Sequence, residues 1–240
     1  MSLLTPARRR DEEILDDPDA DPALALRSLR DVALANTFFG GRRAVLHELR
    51  AVLDHVGRGA SCTLLDVGTG LGDIPRAAQR LGARRGIAVQ TIGLELSVSL
   101  ARAAATRCTL AVAADALALP FATASVDVVT CSQVLHHFDD EPAARLLREC
   151  TRVARQAVIV GDLRRSWVAI AGLWAGSYLL GFHPVSRHDG IVSIRRGYTL
   201  DELRRLVQSS TGCAPHARGG LGFRVVARWA PRASFTEHTG

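Results

Sequence analysis

The sequence predicts an α/β fold with a doubly wound, mostly parallel sheet, N-terminal helices and a helical lid inserted late in the chain. Three observations carry this. From about residue 62 to residue 160, short apolar runs alternate with helical stretches. Such alternation builds right-handed βαβ units and a sheet covered on both faces. The first run ends in the glycine-rich turn Asp66-Val67-Gly68-Thr69-Gly70-Leu71-Gly72-Asp73, and the next two end near the acids Glu95 and Asp115.

The elements follow in order. Residues 1–21 carry Arg8-Arg9-Arg10 and then a run of acids, which reads as a flexible arm. Residues 22–240 form one domain, within the size that buries a core without disulfides or metals. Its first part, residues 22–58, holds two cap helices. Pro22 opens one, with Leu24, Leu26, Leu29, Val32 and Leu34 as apolar content, and Gly40-Gly41 breaks it. The other places Val45, Leu46, Leu49, Val52, Leu53 and Val56 at helical spacing.

Residues 60–162 form the core. Strands are expected at Cys62–Val67, Ile87–Leu94, Thr109–Ala113, Val126–Cys131 and Ala157–Val160, with helices near Ile74–Leu81, Val98–Arg107 and Pro142–Val153. The acids Asp139, Asp140 and Glu141 ahead of Pro142 suit a helix N-terminus. Residues 163–198 form a lid or substrate region. Its segment Ser166–Phe182 has 17 residues and no charge, short of the roughly 20 a membrane span needs. A cleft-covering helix, a membrane-surface helix and a dimer interface all fit it. A polar loop, His183–Gly190, follows. Residues 199–230 then supply a helix from Thr199 and two strands.

Composition narrows the chemistry. Net charge is +6, and all 30 basic residues are arginine. With no lysine, Schiff-base and phosphate-loop lysine chemistry is excluded. The arginines are interleaved with acids and aromatics make up only 5%, a poor match to nucleic-acid binding. The five cysteines include no C-x-x-C pair, so neither a zinc site, nor any other metal site, nor a disulfide framework is expected. Residues Met1–Asp21 lack the apolar stretch of a secretory signal. The expectation is a cytoplasmic monomer or homodimer, with no membrane span and at most peripheral membrane contact.

The glycine turn is the strongest local signal. In the dinucleotide pattern G-x-G-x-x-G, counted from Gly68, the last glycine falls on Asp73. An acid there would repel a pyrophosphate. A cofactor with a sulfonium and an amino group suits Asp66 and Asp73 better. Glu95, at the tip of the second strand, is placed for ribose hydroxyls. Asp115, after the third, is placed for an adenine amino group. The fourth strand runs into Thr130-Cys131-Ser132-Gln133-Val134-Leu135-His136-His137-Phe138.

These elements, in this order, resemble class I S-adenosylmethionine-dependent methyltransferases, closest to the small-molecule branch with the ubiquinone and menaquinone enzymes. The resemblance covers residues 60–162. It implies a Rossmann-like fold, S-adenosylmethionine as cofactor and S-adenosylhomocysteine as product. It also implies that Asp66, Gly68, Thr69 and Gly70 cradle the methionine part and that Glu95 holds the ribose. Leu96 would flank the adenine, Asp115 and Ala116 would bind its edge, and Ser132 would lie beside the methionine end. A looser likeness in Leu29-Arg30-Asp31, Asn36–Gly41 and Arg187-His188-Asp189-Gly190 points to bacterial methyltransferases found with type III polyketide synthases. The implied acceptor is small, hydrophobic, and phenolic, polyketide-like or quinone-like, methylated on oxygen. A quinone-type C-methyltransferase and a non-catalytic cofactor binder are the alternatives.

Methyl transfer needs alignment of nucleophile, methyl and sulfur, and exclusion of water. A base would assist an oxygen acceptor. His136 and His137 follow strand four, and His188 sits beside Asp189; His137 and His188 are the candidate bases. After strand four there is no [DN]-P-P-[YF] tetrapeptide of the DNA amino-methyltransferases. Cys131 and Ser132 also lack the acids of the metal-dependent catechol enzymes.

Overall fold

The computed structural model describes residues 5–9, 11–14, 21, 23, 24, 27, 28, 30, 31, 34, 35, 40–220 and 223–232. Leu26, Leu29, Val32, residues 36–39 and parts of the arm (1–4, 10, 15–20) lie outside them. The described residues from 23 to 35 are helical. Helix α1 (Gly41–Leu53) leads into β1 (Ser61–Val67), α2 (Asp73–Ala83), β2 (Ala88–Glu95), α3 (Val98–Ala104), β3 (Leu110–Ala113) and β4 (Val126–Ser132). A 3₁₀ turn (Leu135–His137) precedes α4 (Asp140–Val153) and β5 (Ala154–Leu163). Then come α5 (Trp167–Leu179), α6 (Pro184–Arg196), α7 (Leu200–Thr211), β6 (His216–Gly220) and β7 (Arg224–Trp229).

The strands form one seven-stranded sheet in the order β3-β2-β1-β4-β5-β7-β6. Strands β1 to β5 pair in parallel, whereas β7 runs antiparallel to both β5 and β6. Side chains alternate between faces with period two, and the core divides accordingly. Leu65, Val129, Val158 and Val160 pack with Leu146 and Leu147 of α4 and Leu203 of α7 on one face. Leu64, Val128 and Ile159 pack with Val45 and Leu49 of α1 and Ala78 of α2 on the other. The order reverses beside β1, where β2 and β4 flank it. The crevice at the carboxyl ends of these strands is where ligands of doubly wound sheets bind.

The expected polar loop at His183–Gly190 is instead the first half of α6. Pro184 occupies the first helical turn, and the His183 side chain accepts from the Val185 N–H as N-cap. The mixed polar sequence hid this helix, because its buried positions (Ser186, Asp189, Val192, Ile194) include polar residues. Helix α7 begins as expected at Thr199, with a full capping box to Glu202.

The arm, read from the sequence as mobile or loosely docked, makes contacts over its described part. Arg165, itself buried, donates to the Pro6 carbonyl at 2.8 Å and to the Gly197 carbonyl at 2.6 Å. The Arg8 guanidinium lies 4.2 Å from the Tyr198 ring centroid. The Ile14 N–H donates to Asp189 Oδ1 at 3.0 Å. Arg165 ahead of α5, Asp189 on α6 and Tyr198 between α6 and α7 hold it.

Candidate functional site

Gly68, Gly70 and Gly72 all have positive φ (66°, 55° and 74°), the region glycine enters without penalty. Space adds a second demand: a Cβ on Gly68 would sit 2.2 Å from Val134 Cγ2. The turn thus passes tightly beneath the residues that follow β4.

Asp66 ends deep under this loop, 1% exposed. Thr69 Oγ1 donates to one carboxylate oxygen at 2.8 Å and Thr130 Oγ1 to the other at 2.6 Å. Burial pushes Asp66 up to about 7, the two threonine hydrogen bonds oppose it, and the charges of Glu95 and Asp73 add to it. Asp66 therefore shapes the loop from below. Thr130, which sequence reasoning missed, ties β4 to it.

A raised folded-state pKa contributes stability at pH below the unfolded value of 3.8, and that contribution is lost as pH rises through about 7. Relative to Asp66→Asn, the wild-type protein should lose stability between pH 4 and 8, by an amount on the order of a few kcal/mol. Urea titrations of both proteins at several pH values check this; a constant difference would contradict it.

Glu95 ends β2, and one of its oxygens accepts from the Gly70 N–H. Burial raises its pKa, against the backbone hydrogen bonds from Gly70 and Leu96 that favour the ionised form. Beside it Leu96 is 76% exposed, an apolar face open to a flat ligand. Asp115 Oδ1 accepts from the Leu117 N–H at 2.8 Å, and Ala116 is half-buried. Ser132 is half-buried at the end of β4, and Gln133 follows it at φ 58°. The crevice thus gathers the loop, Glu95, Leu96 and Ser132 at neighbouring strand ends. Asp73 departs from the charge argument made above. It is bridged to Arg107 at 2.7 Å, so its acidity is largely answered within the protein.

The histidines separate. His188 has a side chain 56% exposed on α6, with Nδ1 3.0 Å from Asp189 Oδ1. His136 is buried, with Nδ1 2.6 Å from Asp162 Oδ1. His137 stacks on it with ring centroids 4.3 Å apart. Glu13 of the arm meets both: its Oε1 is 3.8 Å from His136 Nε2 and 4.0 Å from His137 Nδ1. Ser193 donates to the same oxygen at 2.7 Å, and Arg196 lies 3.4 Å away. Among the described residues, Glu13, His136 and His137 bring three ligand atoms within 4.8 Å of one another. Arg196, Arg8 and Arg9 border the same space, so a metal cation would face guanidinium repulsion. The Ser193 hydrogen bond and the Arg196 guanidinium hold Glu13, and with it this part of the arm, against the two histidines.

A separate apolar cavity of about 140 Å³ lies between α5, α6 and the start of β7. Its lining includes Gln133, Leu163, Leu173, Phe182, Ile194 and Arg224, but neither His137 nor His188. Helix α5 borders it through Ala169, Gly172 and Leu173. The helix aromatics, expected to cover an acceptor, face outward: Trp174 and Tyr178 are 56% and 57% exposed. Among the described residues no helix is long and apolar enough to cross a membrane.

The sheet order, the antiparallel β7 and the glycine loop at the switch point define a class I methyltransferase fold. The family model described as a methyltransferase domain matches residues 65–160. No curated protein matches the chain. Among solved structures, TnmH is 20% identical with a TM-score of 0.61, covering 92% of this chain and 62% of that one. A methyltransferase from Thermotoga maritima is 17% identical with a TM-score of 0.57, covering 88% and 99%. Magnesium protoporphyrin IX methyltransferase from Synechocystis, with S-adenosylhomocysteine bound, is 16% identical with a TM-score of 0.53, covering 79% and 83%. At these identities the likeness is one of fold. Residues 65–160 thus match a methyltransferase domain, and the described chain shares the fold of class I S-adenosylmethionine-dependent methyltransferases.

Proposed function

We propose that this protein transfers the methyl group of S-adenosylmethionine to an oxygen of a small apolar acceptor held in the cavity between α5 and α6. The observation that carries this is the meeting of two spaces at the end of β4. Ser132 faces the cofactor crevice in the family pattern, and the next residue, Gln133, lines the cavity.

The chain's residues fit the cofactor. Glu95 is assigned to the ribose hydroxyls, with its second task the Gly70 amide. Leu96 offers its exposed face to the adenine, and Asp115 and Ala116 its edge. Gly68, Thr69 and Gly70 let the methionine part approach the backbone, and Asp66 holds Thr69 in place. Ser132 lies beside the methionine end. Bound there, the cofactor supplies an activated methyl group. The protein's part is to align the acceptor oxygen and exclude water. Ser186, buried at the cavity wall, carries a hydroxyl donor, which suits an oxygen acceptor.

Neither candidate histidine lines the cavity, so this reading gives neither the role of base. The test is methyl transfer from labelled S-adenosylmethionine to a panel of phenols, quinones and pyrones, with the product mass recorded. Wild-type protein should methylate an oxygen acceptor. His137→Ala and His188→Ala should each keep turnover within about ten-fold. A loss of about 10²-fold or more in either variant would restore that histidine as the base. Absence of transfer to every acceptor, despite cofactor binding, would favour a non-catalytic binder.

A further inference from the structure

We propose that the outer face of α5 is a membrane-binding surface, which lays this helix along the headgroup region of an anionic bilayer. Lipid binding by this face needs no assumption about the acceptor.

The helix has no polar side to turn outward. Trp167–Leu179 carries no charge over its 13 residues. Ala169 and Ser177 are buried toward the rest of the protein, and Leu173 beside them borders the cavity. At 3.6 residues per turn, Trp167, Ala171, Trp174 and Tyr178 follow one another along the opposite side. Val168, Ala175 and Leu179 run alongside. All seven are exposed, and Leu179 reaches 88%. A helix that is apolar on every side is ordinarily buried on every side. A contiguous apolar strip left open marks a surface for a protein or a membrane.

The chemistry of the strip and its surroundings selects the membrane. Tryptophan and tyrosine combine an apolar ring with a polar tip, and both concentrate where hydrocarbon meets headgroups. Trp174 and Tyr178 stand edge-on with ring centroids 5.2 Å apart. The Arg187 guanidinium of α6 lies 4.2 Å from the Tyr178 centroid, at one end of the strip. Exposed Arg164 precedes Trp167 by three residues at the other. From residue 163 to residue 198 the only acid is Asp189. It is buried, and its Oδ1 accepts from the Ile14 N–H at 3.0 Å. Asp31, which borders the cavity, accepts from the His183 N–H. The exposed acids Asp11 and Glu12 belong to the arm, whose Arg9 N–H meets the Arg195 carbonyl at the far end of α6. Lipid phosphates complement such arginines. A second copy of the chain would bring the same arginines to the same face. Area points the same way. One helix of this length presents a strip about 20 Å long and about 10 Å wide, well short of the roughly 800 Å² that each partner gives to a stable complex. Among the described residues no helix is long and apolar enough to cross a membrane, so α5 lies along the surface. On the reading of the cavity as the acceptor site, this holds the cavity beside acceptors dissolved in lipid.

The probe is sucrose-loaded vesicles of phosphatidylcholine, alone or with one quarter phosphatidylglycerol, sedimented with the full chain. The protein should bind the phosphatidylglycerol vesicles at least about 10-fold more tightly than pure phosphatidylcholine, and about 0.5 M salt should shrink that difference. Trp174→Ser combined with Tyr178→Ser should weaken binding about 10-fold or more, because two large apolar groups no longer enter the lipid. Leu179→Ser should weaken it several-fold. Arg187→Gln should weaken binding to the phosphatidylglycerol vesicles alone. S-adenosylhomocysteine affinity should be unchanged in every variant, which checks folding. A wild-type protein that stays in the supernatant with both vesicles, or vesicle binding untouched by the α5 substitutions, would overturn the inference. So would a wild-type dimer that the Trp174→Ser and Tyr178→Ser pair converts to monomer in analytical ultracentrifugation without any lipid binding, since a second copy would then hold the face. Methyl transfer to the acceptor panel is decided separately from all of these outcomes.

Discussion

Glu95→Ala is expected to weaken S-adenosylmethionine binding roughly 10–150-fold while the protein stays folded. The lower figure corresponds to losing one hydrogen bond to a charged group, about 1.5 kcal/mol, and the upper to about 3 kcal/mol. The geometry favours the upper half. Glu95 accepts from the Gly70 N–H, so its removal also frees the loop that approaches the methionine part. The side chain is partly exposed at a strand end and outside both main core clusters, which is why stability should hold. Calorimetric titration with S-adenosylmethionine or S-adenosylhomocysteine reads the effect. Unchanged affinity would remove Glu95 from the site.

Gly68→Ala should be the most damaging single change in the loop, because two penalties act at once. At φ 66° a side chain enters the left-handed region, at a cost of about 1–2 kcal/mol. The new methyl group would also meet Val134 Cγ2 at 2.2 Å, and relieving such overpacking costs about 1–3 kcal/mol more. A stability loss of about 2–5 kcal/mol follows, measured by urea unfolding, with cofactor binding lost in parallel. Gly57 provides the contrast. Nothing lies within 4 Å of a Cβ there, so Gly57→Ala should be nearly silent. Equal effects at both positions would show that the close approach at Gly68 is unimportant.

Much of the cofactor half was legible locally. The strand–glycine turn–helix at residues 61–83 is written in contiguous residues, and the acid at the tip of β2 needs only strand periodicity to place it. The same holds for the Thr199 capping box, whose two partners are three residues apart. Other features depend on distant segments. The Thr130 hydroxyl reaches Asp66 across 64 positions, and Glu13 reaches Ser193 across 180. No periodicity announces such pairs. Asp73 shows the opposite failure. Its residue type suggested a charge waiting for a ligand, and Arg107 answers it from 34 positions away.

The sequence by itself determined the βαβ alternation, the positions of the core strands and the crevice where the glycine loop meets Glu95. These follow from apolar spacing and backbone freedom, properties that each short segment carries alone. Only the tertiary structure decided the acceptor side. Helix α6 takes its place because α5 and the arm pack against it, and its own mixed polarity gave little sign of it. The direction in which α5 turns its aromatics was likewise a matter of packing: small residues let it approach α6 and border the cavity, which leaves Trp174 and Tyr178 on the outside. Ser186 became a candidate acceptor contact for the same reason. A buried donor is recognisable only once the walls around it are known.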